Sequence, residues 1–150
     1  MNVSIVFPLL AIAAGAVLPV QAGANAILKR GVGGFPPAVL VSLTVSALLM
    51  FAWVLAARYP APDRADLMRL PPQAWLGGVL GATYLISVTI AAPSLGSATT
   101  VALVVLGQAL SALALDHFGL MGFAEKPVTL LHAGGVLLIA GGAFAVSWND

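Results

Sequence analysis

Gln21 and Asn25 stand in the run Gly15-Ala-Val-Leu-Pro-Val-Gln-Ala-Gly-Ala-Asn-Ala-Ile-Leu28, two carboxamides in an otherwise apolar stretch. Four residues apart on a helix, they share one face, next to Pro19 and a ridge of small residues that steps by four through Ala11, Gly15 and Gly23. A carboxamide recognises by hydrogen bonding and breaks no bonds, and in hydrocarbon an unpaired one costs on the order of several kcal/mol. The face therefore turns inward, toward another helix or a polar solute. Gln108 repeats the pattern, with Gly107 and Ser111 stepping by four beside it. Its amide either bonds across helices, with Gln21 as the candidate partner, or meets a solute. Tyr84 reaches a cavity or packs.

The ionisable candidates are fewer. Asp116 and His117 close the run that holds Gln108, where an acid serves as a coupling or gating group or simply marks a helix end. His132 is the one titratable side chain expected inside the hydrocarbon, and a lone histidine there is more often satisfied by a backbone carbonyl than catalytic. No nucleophile and base fall at a spacing that lets them meet, and no HExxH pattern occurs. Catalytic residues, a metal site and a cofactor are therefore not expected. The absence of cysteine removes disulfides and thiolate chemistry, and a net charge of +1 carries no nucleic-acid footprint.

The elements that position these residues follow from composition. With 61% hydrophobic and 7% charged residues in 150, and a mean hydropathy of +1.06, the chain lies far from soluble domains, about a quarter of whose residues are charged. Five apolar runs are long enough to span a bilayer: 3–28, 38–57, 74–92, 95–115 and 128–148. None contains Lys, Arg, Asp or Glu. The prediction is an all-α integral membrane protein of five transmembrane helices in a single domain over 1–150. Ala22-Gly23-Ala24 resembles a signal cleavage site, but the apolar run before it exceeds an h-region and starts without a basic residue, so the first segment is expected to remain as a span.

Pro19 removes a backbone donor opposite the carbonyl of Gly15, which predicts a bend in the first span. Gly31, Gly33 and Gly34 form a turn into the second span, whose Ser42, Thr44 and Ser46 are expected to bond backbone carbonyls. Residues 58–73 form a polar loop in which Asp63 caps a helical turn lying against the headgroups, flanked by Trp53, Tyr59 and Trp75 as interfacial residues. Gly77 with Gly81, and Gly134, Gly135, Gly141 and Gly142, supply small-residue faces for helix packing or dimerisation. Pro93-Ser94 leaves almost no loop between the third and fourth spans, which predicts an antiparallel hairpin.

Arg58, Arg64, Arg69 and Lys126 fall on the side of the N-terminus, and Lys29 and Arg30 on the other. This favours the N-terminus inside by a thin margin that permits insertion both ways up. Five helices enclose a solute poorly. Two copies related by an axis in the membrane plane would form a ten-helix inverted repeat with a site at the midplane, and since no internal duplication occurs the second half must come from another chain.

Leu95-Gly-Ser-Ala-Thr-Thr100 continuing to Gln108 and Asp116, with Gly15 to Gln21 and Trp75-Leu-Gly-Gly-Val-Leu-Gly81, resembles the YdcZ-like small inner-membrane proteins of the drug/metabolite transporter (DMT) superfamily. The resemblance spans nearly the whole chain and departs from the family pattern at Leu43 and Ser46. It implies a five-helix protomer equivalent to half of a ten-helix transporter, in a bacterial inner (plasma) membrane. Its expected partners are the lipid bilayer, a small-molecule substrate, and a second protomer in an antiparallel, dual-topology homodimer or in a heterodimer with a relative.

By this resemblance Gln21, Asn25, Gln108 and Asp116 fall on motif positions. Related small multidrug exporters carry a membrane-embedded glutamate in the first helix, where this chain has only Gln21 and Asn25, so neutral, zwitterionic or anionic solutes are expected in place of lipophilic cations. The expectation is an exporter of a small organic metabolite working by alternating access. Gln21, Asn25, Gln108, Tyr84 and Ser111 would contact substrate, Asp116 would couple or gate, and Gly15, Gly77, Gly81, Gly107 and the fifth-span glycines would pack helices. The alternative is a non-transporting membrane subunit assembling with a paired partner.

Overall fold

The computed structural model describes residues 3–148. The described residues hold six α-helices and no strand: α1 (Val3–Gly31), α2 (Phe35–Ala56), α3 (Arg64–Arg69), α4 (Leu76–Leu95), α5 (Ser97–His117) and α6 (Leu130–Ser147). Five are long and apolar enough to cross a membrane; α3 is the short polar one. At 29 residues α1 extends about 43 Å, longer than a hydrocarbon core of about 30 Å, and it carries Pro8 and Pro19 internally.

Local chemistry accounts for the helix ends. Past α1, Gly33 takes φ +78° and the N–H of Gly34 donates to the carbonyl of Lys29, a Schellman closure. Past α2 the same closure recurs with Tyr59 donating to Val54, but there Arg58 holds the left-handed position at φ 55°. Pro36 and Pro37 open α2, where missing donors cost nothing. Asp63 caps α3, its Oδ1 accepting from the N–H of Ala65 at 3.1 Å.

The break between α4 and α5 differs from the Pro93-Ser94 junction expected from sequence. Helix α4 runs through Pro93 to Leu95, and one residue, Gly96, makes the turn at φ 77°, ψ 161°. That region is essentially restricted to glycine, so backbone permission outweighs the proline signal.

Two compact units divide the chain. In the first, which holds α5 and α6, the two helices pack along each other. Its buried residues, Thr99, Thr100 and Ala143, lie at the end away from the α5–α6 loop. The other unit, Ala24–Ile90, holds the last turns of α1, all of α2 and α3, and most of α4. It buries Asn25, Ala38, Val39, Leu85, Val88 and Thr89. Ala38 and Val39 lie in the first turn of α2, while α2 is largely exposed from Leu43 onward and α4 from Leu76 to Gly81. This unit is packed at the end that carries Lys29 and Arg30.

Candidate functional site

Asn25 is the most enclosed polar side chain predicted from the sequence, 2% exposed, and its Nδ2 has no hydrogen-bond partner. A buried, unpartnered donor costs about 1–3 kcal/mol. Gln21, one turn earlier on α1, is half-buried, and no hydrogen bond joins its carboxamide to Gln108 among the described residues. The interhelical bond considered from sequence is thus not formed within the chain. Gln108, Gly107 and Ser111 are all exposed on α5, near its midpoint, and Gln108 makes no hydrogen bond among the described residues. Tyr84 is half-buried on α4.

Sequence reasoning missed Thr89. It is 1% exposed, and its Oγ1 has no partner. Helix hydroxyls normally bond back one turn, as Thr44 does to Leu40, Ser46 to Ser42, Thr83 to Val79, Ser87 to Thr83, Thr100 to Gly96 and Ser147 to Ala143, at 2.7–3.0 Å. Thr89 does not. Pro93, four residues on, also has no N–H to give the Thr89 carbonyl. Its position four residues before a proline was the signal available in the sequence.

Asp116 and His117 take structural parts in a folded loop. The carbonyl of Asp116 accepts from the backbone N–H of Lys126 at 2.7 Å and of Gly119 at 3.4 Å, and His117 Nδ1 accepts from Val128 N–H at 3.2 Å. Gly119, at φ +59°, lets this loop close: an added Cβ would lie 3.3 Å from the Cβ of Glu125. The Asp116 carboxylate is half-buried and makes no hydrogen bond or ion pair among the described residues. His132 is exposed in the first turn of α6, in a capping box with Thr129: its Nδ1 accepts from Thr129 N–H at 3.4 Å, and Thr129 Oγ1 accepts from His132 N–H at 3.3 Å. Its partner is a backbone N–H at an exposed helix end, and not the backbone carbonyl within the hydrocarbon expected from sequence, because the N-terminal turn of α6 leaves free N–H groups to be capped.

The glycines singled out for packing make no close approach to other described residues. A Cβ at Gly15, Gly77, Gly81, Gly107, Gly134, Gly135, Gly141 or Gly142 would meet nothing within 4 Å. Gly134 and Gly135 floor an open apolar groove on α6, about 650 Å³, lined by Leu130, Leu131, Leu137 and Leu138.

Five apolar helices carrying amides within the spans define a polytopic α-helical membrane protein. Residues 6–145 match the family DMT_YdcZ, described as "Putative inner membrane exporter, YdcZ", and the chain belongs to that family. The membership makes it, at a coarse level, a membrane transport protein. No curated protein and no solved structure matches the chain.

Proposed function

We propose that the chain is one protomer of a transporter that moves a small organic metabolite by alternating access, as a dimer of two such five-helix chains. Family membership supports export across a membrane. The observation that carries the finer reading is Gln108: a carboxamide near the middle of α5, exposed and without a hydrogen-bond partner among the described residues. Against lipid it would cost several kcal/mol. A second protomer enclosing a wet cavity removes that cost and gives the amide a solute to hold. Gln21, Asn25, Tyr84 and Ser111 contribute on the same reading, and Asp116 gates at the loop end of α5.

Gln108→Leu tests it in reconstituted vesicles. Flux should fall below detection while expression and dimer formation persist. Unchanged flux would remove Gln108 from the pathway. A variant more stable than the parent yet equally active would place that amide against lipid.

A further inference from the structure

The two histidines of the chain make the same kind of bond at adjoining positions. His117, the last residue of α5, accepts the N–H of Val128 on its Nδ1 at 3.2 Å, and His132, in the first turn of α6, accepts the N–H of Thr129 on its Nδ1 at 3.4 Å. These are consecutive backbone donors, immediately before α6 begins at Leu130. One is held from the neighbouring helix and the other from α6 itself. A ring nitrogen that accepts carries no proton, so both bonds exist only with neutral imidazoles, each protonated on Nε2.

Protonation would set an N–H against an N–H at both places. Charge acts in the same sense. The first turn of α6 contains no acidic residue, so a cation at His132 meets the positive end of the helix dipole uncompensated. Beside His117 the charged groups of the α5–α6 connection are Asp116, Glu125 and Lys126; the two carboxylates offer an imidazolium the acceptors that Val128 N–H does not. Residues 120–122 and α6, which pack against α5, add no charged side chain beyond His132. By contrast, the N–H of Lys126 bonds the carbonyl of Asp116 at 2.7 Å, a pair with no titrating atom.

We propose that His117 and His132 form an acid-sensitive latch on the start of α6, closed while both imidazoles are neutral and opened by their protonation, which frees Val128 and Thr129 while the Asp116–Lys126 bond keeps its place. An imidazole takes up its second ring proton around pH 6.5, so the latch holds above that range and is lost as pH falls through it. The device makes the start of α6 responsive to the pH on its membrane face, whatever the protein carries.

The test uses the full chain in nanodiscs and follows backbone amide exchange from about pH 7.5 to about pH 5, expressed as protection relative to an unstructured peptide at the same pH. Protection of Val128 and Thr129 should fall about threefold or more, with Lys126 unchanged. Asparagine places an oxygen acceptor close to where Nδ1 stood and does not titrate. His117→Asn should therefore abolish the response at Val128, and His132→Asn the response at Thr129. Spectra of ¹⁵N-labelled histidine in the parent chain need no variant: at neutral pH both rings should carry their proton on Nε2. A proton on Nδ1 of either neutral ring, protection that does not change with pH, an equal fall at Lys126, or a response that survives in the doubly substituted chain overturns the latch.

Discussion

At the scale of single residues, the useful distinction lies between polar groups that satisfy themselves and those that do not. The hydroxyls of Thr44, Ser46, Thr83, Ser87, Thr100 and Ser147 bond their own backbone and are spent. Asn25 and Thr89 are buried with unpartnered atoms, a cost retained in the empty protein. Asn25→Leu should therefore raise the stability of the protein by about 1–3 kcal/mol. Thermal unfolding in detergent measures the change. A loss of stability would mean that the amide holds the helices together. The sequence revealed Asn25 because a carboxamide in an apolar run stands out. It hid Thr89 because threonine is common in spans and ordinarily bonds its own helix, so only the burial and the unmade bond distinguish it from Thr83, two turns earlier.

At the scale of elements, hydropathy located all five spans to within about three residues, because bilayer thickness fixes their length. Their ends were less legible. Pro93 read as a terminus, yet α4 accommodates it and stops at Gly96. Which face of α2 and α4 packs was not legible at all, since both are apolar on every side and carry no periodic signal. Their buried residues, Ala38, Val39, Leu85 and Val88, differ in no chemical respect from exposed neighbours such as Leu40 and Ile86.

The ends offer sharper tests than the faces. Gly96→Ala should destabilise by about 1–3 kcal/mol, because φ 77°, ψ 161° strains any residue with a Cβ. Arg58→Gly should stabilise by about 1 kcal/mol by relieving the left-handed φ of 55°. Chemical denaturation of the two variants should move the midpoint in opposite directions; movement of both in one direction would contradict the assigned turns.

At the scale of the whole molecule, the question is what the exposed middle of α5 faces. Lipid covers leucines without cost, but Gln108 requires a polar partner that the described residues do not supply. Six basic residues divided four to two between the membrane faces permit either insertion, so the partner can be an inverted copy. Helix geometry separates that arrangement from a parallel one. Leu103 and Ser111 lie four residues either side of Gly107, the middle residue of α5, so about 12 Å separates them along the axis. Where two α5 helices meet about an axis in the membrane plane, Leu103 of one copy sits level with Ser111 of the other and far from its own counterpart. In a parallel pair each residue instead lies level with itself. The chain contains no cysteine, so Leu103→Cys and Ser111→Cys can be read without background. Coexpressed, the two variants should form a disulfide-linked dimer under mild oxidation, while each alone remains monomeric on non-reducing gels. Efficient self-crosslinking of either variant alone would establish a parallel assembly and leave Gln108 outside an inverted-repeat cavity.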